Sequence, residues 1–150
     1  MIIEVNSPEE TRQLGRKLGA SLRGGEVFEL VGDVGAGKTT FTKGLAEGLG
    51  VHDEVQSPSF TISRVYDGRD ELQLVHYDFY RLSDPGIIAS EVAEMVQDSK
   101  TITVIEWASI VEGVLPPDHY RITFTSPTET KRSIEFPDEY KELATLKETL

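Results

Sequence analysis

Eight residues constrain this chain more than any others: Gly32-Asp33-Val34-Gly35-Ala36-Gly37-Lys38-Thr39 fill every fixed position of the pattern G-x-x-x-x-G-K-[ST]. The setting fits as well. A β-prone run, residues 26–31, precedes the glycines, and Phe41, Leu45 and Leu49 follow at intervals of four as one stripe of a helix. Strand, glycine loop and helix in that order make a phosphate cradle. Gly35 and Gly37 let successive backbone N–H groups turn inward, and the helix N-terminus adds the positive end of its dipole. Lys38 supplies a point charge and Thr39 a hydroxyl suited to Mg²⁺. A plain turn joining strand to helix would not also need Lys-Thr after its last glycine.

Composition limits what can surround such a loop. With 150 residues, 38% of them hydrophobic, the chain has enough apolar material for one real core, so one compact domain spanning residues 1–150 is expected. Fifteen basic residues against 26 acidic ones leave a formal charge of -11, which opposes a nucleic-acid backbone; a role in RNA chemistry would run through a partner. There is no cysteine, hence no disulfide framework or thiolate metal site. Residues 1–4 lack the basic start and apolar run of a signal peptide, and no later stretch is long enough to span a bilayer. A soluble, cytoplasmic protein is the expectation.

Local patterns supply the remaining elements. Residues 2–5 read as a short strand, and Ser7-Pro8-Glu9-Glu10 as a helix start with Ser7 as cap and Glu10 closing a capping box. Leu14, Leu18 and Leu22 then face the core, and Gly24-Gly25 ends that helix. In the helix after the loop, Gly44 and Gly48 each cost about 1 kcal/mol of helicity relative to alanine, which points to close packing there. Gly50 is a natural stop. Residues 51–59 read as an exposed connection, followed by strands at 60–66 and 72–77 around Asp67-Gly68-Arg69-Asp70, an antiparallel hairpin. Period-two alternation places His76, Asp78 and Tyr80 on one face of the second strand and Val75, Tyr77 and Phe79 on the other. A helix over 87–96, a buried strand over 101–105 delivering Glu106 and Trp107, a hairpin of 120–125 with 132–136, and a last helix after Asp138 complete the chain. Helices alternating with strands, interrupted by hairpins, predict an α/β domain with a mixed sheet.

A nucleotide site of this kind also needs an acid for the metal, normally at the end of an apolar strand beside the loop. Asp78 and Glu106 both qualify, since open α/β sheets bind ligands at the carboxyl ends of their strands. His76 reads either as a structural hydrogen-bonder or as a group that positions a water. Tyr77, Phe79 and Tyr80 read as core or interface rather than a base-stacking platform. Trp107 reads equally as core or as a neighbour of the nucleotide.

Taken together, the run from Gly32 to Phe41, Ser57-Pro58-Ser59-Phe60-Thr61, His76-Tyr77-Asp78-Phe79-Tyr80-Arg81-Leu82, and Glu106-Trp107 resemble the TsaE family of bacterial proteins over most of the chain, weakening after about residue 110. That resemblance implies a phosphate-loop NTPase fold with three layers, and an ATPase required for threonylcarbamoyladenosine formation in tRNA, working with the TsaB and TsaD proteins. It implies that Thr39 and Glu106 hold Mg²⁺ and that Asp78 supports hydrolysis beside the metal. Lys38 and the loop through Gly35, Ala36, Gly37, Thr39 and Thr40 would hold the phosphates of ATP, with Thr11 approaching the nucleotide. The chain has Ser59 where the family usually has threonine, which keeps the hydroxyl and loses a methyl. From the residues alone, the roles of Asp78 and Glu106 are interchangeable.

Two other functions share the loop. A small-molecule kinase would need an acceptor pocket and usually an arginine-bearing lid, and Arg64, Arg69 and Arg81 lie in no recognisable lid segment. A GTP-dependent switch would normally carry an Asn-Lys-x-Asp element for the base, and none is present.

Overall fold

The computed structural model describes residues 1–33, 35–58 and 61–140. Seven strands form one sheet in the order β1-β7-β6-β2-β5-β4-β3. They are β1 (Ile2–Val5), β2 (Val27–Val31), β3 (Ser63–Asp67), β4 (Gln73–Asp78), β5 (Thr101–Glu106), β6 (Tyr120–Thr125) and β7 (Arg132–Glu135). The centre, β6-β2-β5-β4, is parallel, while β3 pairs antiparallel with β4 at one edge, and β7 and β1 extend the other edge antiparallel. Among the described residues three helices flank the sheet: α1 (Pro8–Ser21), α2 (Lys38–Gly48) and α3 (Ile88–Met95). The mixed sheet and its antiparallel hairpins are those the sequence predicts.

Alternation along the strands divides the interior into two cores, one on each face. Leu30, Leu74, Ile102, Val104, Ile122 and Phe124 pack with Leu14 and Leu18 of α1 and Phe41 and Leu45 of α2. Val27, Val75, Tyr77 and Ile105 pack on the opposite face with Val92 of α3 and with Ala108 and Val111 of a 3₁₀ segment at Ala108–Val114. The result is three layers. β5, covered on both faces, is buried along its whole length, as expected of the strand read as buried over 101–105.

α1 and α2 lie unusually close, and glycine is the reason. A Cβ at Gly15 would stand 2.2 Å from the Phe41 carbonyl oxygen, and one at Gly19 2.1 Å from that of Leu45. From the other side, Gly44 and Gly48 each face an α1 carbonyl, of Arg12 and Arg16, at 2.0 Å. The close packing predicted at Gly44 and Gly48 is therefore present, with a matching pair on α1 that periodicity did not single out. Across the same seam Arg12 and Arg16 both bind the Glu47 carboxylate. Burial pushes that carboxyl up, but the hydrogen bonds and charges of the two guanidinium groups outweigh it and hold Glu47 below its ordinary range.

Several boundaries differ from the sequence reading. Ser7 caps α1 by accepting from the Glu10 N–H, but the Glu10 carboxylate reaches back to the N–H of Asn6, one residue before the cap. Leu22 is buried yet already outside the helix, in extended backbone. In the 51–59 connection the polar residues 52–54 are exposed, while Val51 and Val55 enter the first core. β3 starts at Ser63 because the N–H groups of Thr61 and Ile62 turn onto the Pro58 carbonyl. Asp138–Tyr140 is a single 3₁₀ turn; the helix expected beyond it falls outside the described residues.

Candidate nucleotide and metal site

β2 runs straight into the glycine loop. At Gly32, backbone at φ 153° passes so near β6 that a Cβ would lie 2.7 Å from the Phe124 carbonyl oxygen. Gly35 and Gly37 adopt φ 85° and 106°, the left-handed region in which a side chain is strained. Gly37 is the N-cap of α2, which therefore starts with no side-chain cap and no acidic residue in its first turn. α1, by contrast, has both, in Ser7 and in Glu9 and Glu10. α2 thus presents free N–H groups and an unneutralised dipole to whatever lies in front of it.

What lies in front is a cleft of about 370 Å³ at the carboxyl ends of β2, β4 and β5. Gly35, Gly37, Lys38, Thr39, Thr40, Asp78 and Glu106 all line it. Asp78 and Glu106 are direct partners in the β4–β5 register, so two buried carboxylates end adjacent strands side by side. The Tyr80 N–H donates to Asp78 Oδ1 at 3.0 Å, which fixes that side chain to the backbone that follows. Lys38 is buried too. Its Nζ donates to the Gly32 carbonyl at 2.6 Å, stands 3.7 Å from Glu106 Oε1, and lies 4.5 Å from the centre of the Trp107 ring. The other Glu106 oxygen, Oε2, is 2.7 Å from His76 Nε2.

The remaining candidates fall around this centre. The Ala36 side chain is buried and its N–H is bonded to the Asp33 carbonyl, so it shapes the loop without lining the cleft. Thr11 is buried against Gly37 in a second hollow of about 230 Å³, bounded by the start of α1, by Gly35, Gly37 and Thr40, by Glu129 and Thr130 of the β6–β7 turn, and by Arg132 at the start of β7. The two hollows share the glycine loop. Tyr77 and Phe79 are core, as expected, whereas Tyr80 is exposed and packs on Trp107 with ring centres 4.9 Å apart. Trp107 is 37% exposed and lines the cleft, so it is not a core tryptophan. Arg81 and Ser57 line the cleft as well; both lie in the runs that carry the family resemblance, and neither was singled out as a site residue.

Thr39, Asp78 and Glu106 offer hydroxyl and carboxylate oxygens, the donor chemistry that Mg²⁺ prefers. Among the described residues no group of three His, Cys, Asp or Glu side chains gathers into a metal cage.

Sheet order, glycine loop and paired acids define a phosphate-loop α/β protein. Within that class the chain belongs to the TsaE family: the model of threonylcarbamoyl adenosine biosynthesis protein TsaE matches residues 5–134. It is 39% identical over 135 residues to the tRNA threonylcarbamoyladenosine biosynthesis protein TsaE of Bacillus subtilis, covering 87% of this chain and 80% of that one. The protein of the same name from Streptomyces coelicolor is 44% identical over 113 residues, 74% of this chain and 76% of that one. The crystal structure of Bacillus subtilis YdiB superposes with a TM-score of 0.72 at 32% identity, covering 99% of this chain and 94% of that chain.

Proposed function

We propose that this chain binds ATP with Mg²⁺ and hydrolyses it slowly, as a nucleotide-dependent partner of the TsaB and TsaD proteins in threonylcarbamoyladenosine modification of tRNA. The observation that carries this reading is the uncapped start of α2, which opens with Lys38 onto a cleft closed on its far side by Asp78 and Glu106. In this scheme the loop N–H groups and Lys38 hold the phosphates, and Lys38 exchanges its contact with Glu106 for a phosphate oxygen. Thr39 and Glu106 hold Mg²⁺, with Asp78 beside them. When bound, the ion neutralises charge on the phosphate oxygens. Asp78, anchored by the Tyr80 N–H, orients the attacking water. The hollow beside Thr11 continues the loop on the other side, and takes the base and ribose end.

Isothermal titration with ATP, ADP and GTP, with and without Mg²⁺ and with and without the TsaB and TsaD proteins, tests the scheme. Metal-strengthened binding of the adenine nucleotides, tighter than that of GTP, is expected. Absence of any nucleotide binding, or rapid partner-independent transfer of phosphate to a small acceptor, would replace it with the kinase alternative or none.

A further inference from the structure

One buried polar group at the cleft has no part in that scheme. His76 has no exposed surface, and its Nδ1 has no hydrogen-bond partner among the described residues. Its Nε2 lies 2.7 Å from Glu106 Oε2. A carboxylate accepts, so Nε2 carries a proton and donates. In the β4–β5 register His76 is opposite Val104 and Asp78 is opposite Glu106, so the imidazole reaches diagonally across one strand to the glutamate. Both rows of contacts meet on Glu106: His76 behind it on Oε2, Lys38 in front of it near Oε1 at 3.7 Å.

We infer that His76 is a positioning residue: its Nε2–H clamps Oε2 so that Oε1 stays turned to the cleft, available to Mg²⁺ once Lys38 moves to phosphate. This rests on the nucleotide reading and adds a residue to it. A glutamate side chain has three rotatable bonds, and in a buried site it turns towards whichever cation is nearest. Deprived of His76, Glu106 closes on Lys38 and withdraws both partners from the ligand. A histidine that merely filled space would have no such effect, and either ring nitrogen would then serve equally well.

That distinction gives the test. The amide nitrogen of glutamine stands about where Nε2 stands, and that of asparagine about where Nδ1 stands. ADP affinity is measured by calorimetry in EDTA and in Mg²⁺ for the parent, His76→Gln, His76→Asn and His76→Leu. The leucine variant keeps an apolar side chain at a position opposite Val104 and on the strand face that carries Leu74, and serves where asparagine does not fold. In His76→Gln the gain in affinity on adding Mg²⁺ is expected to match the parent. In His76→Asn and His76→Leu it is expected to shrink by at least about tenfold, the loss that follows removal of a hydrogen-bond partner behind a metal ligand. An undiminished gain in the asparagine or leucine variant, or equal losses in all three, would overturn the assignment and leave the nucleotide reading standing. A parent that shows no Mg²⁺ gain, or binds no ADP, would bring down both, starting with the nucleotide reading.

Discussion

Lys38, Asp78 and Glu106 form a compact set of opposed charges, each buried and each held by a neighbour, and their substitutions separate their roles. Lys38→Ala removes the cation in front of the α2 N-terminus and leaves Glu106 its bond to His76. The variant should stay folded by circular dichroism and show no ATP heat in calorimetry; parental turnover by a folded variant would refute the loop assignment. Asp78→Asn keeps an oxygen to accept the Tyr80 N–H, so the local backbone survives. Its ATP affinity should match the parent while single-turnover hydrolysis falls by about 10² or more, the usual scale for a lost general base. Glu106→Gln should instead lose the Mg²⁺ dependence of binding, and equal behaviour of the two variants would show that the acids act as one unit. Trp107, the only tryptophan of the chain, reports on the same event. Lys38 sits 4.5 Å from its ring centre, so nucleotide that draws Lys38 away should alter its emission; a flat titration under proven binding would contradict that exchange. These residues were legible in the sequence because each occupies a fixed place in a local pattern. Their contacts were not, since whether Glu106 meets Lys38 or His76 depends on register between strands about 30 residues apart, which no local pattern encodes.

Among the elements, the α1–α2 pair carries the clearest consequence of close packing. Gly44→Ala would gain roughly 1 kcal/mol of helix propensity. It must also place a methyl 2.0 Å from the Arg12 carbonyl, which is backbone and cannot step aside, so overpacking of about 1–3 kcal/mol or more prevails. A drop in melting temperature of several degrees is expected for Gly44→Ala, and a rise would mean the helices separate freely. The seam is also pH-sensitive. Glu47 is held below its unfolded-state value, so its contribution is complete above about pH 4.5 and is lost as pH falls through the folded value. Glu47→Gln should therefore flatten the acid limb of the stability curve, measured by urea melts across pH 3–7. Arg69 joins a second set of elements: its guanidinium donates to the carbonyls of Gly19, Ala20, Leu22 and Gly48, closing the C-terminal ends of both helices. That anchoring ties the β3–β4 turn to the helical layer and argues against the hairpin moving as a body. What remains near the cleft is the approach to β3, where the Ile62 carbonyl accepts the Asp78 N–H. Helix and strand periods were readable because apolar residues recur on one face. Gly15 and Gly19 were not, because a glycine facing another helix looks in sequence like a glycine that weakens its own.

At the scale of the whole molecule, charge and site geometry point the same way. The chain carries a formal charge of -11, and among the described residues no helix is long and apolar enough to cross a membrane. Phosphate contacts to RNA are made by lysine and arginine, and each releases counterions condensed on the RNA. A chain with 15 basic and 26 acidic residues offers few such contacts, so direct tRNA binding at physiological salt should be no tighter than the ordinary non-specific range, about 10⁻⁴ to 10⁻⁶ M. On the proposed function, this member of a threonylcarbamoyladenosine family reaches the RNA through another protein that holds it. The cleft fits that arrangement. Its lining carries two cations, Lys38 and Arg81, against two carboxylates, so before any metal arrives its side chains give no net positive charge to a polyphosphate transition state. A charge supplied from outside such a site accelerates phosphoryl transfer by 10³ to 10⁵ in systems that use one, roughly 4–7 kcal/mol of barrier. Turnover by the isolated chain should therefore be slow and rise by orders of magnitude when the TsaB and TsaD proteins are added. Arg81→Ala, measured in both conditions, separates the source of that charge. Loss of the stimulation in the variant would mean that Arg81 supplies the charge and the partners act through it. A stimulation that persists in full would place the decisive charge on the partner, the outcome expected of a chain whose own cleft is electrically balanced.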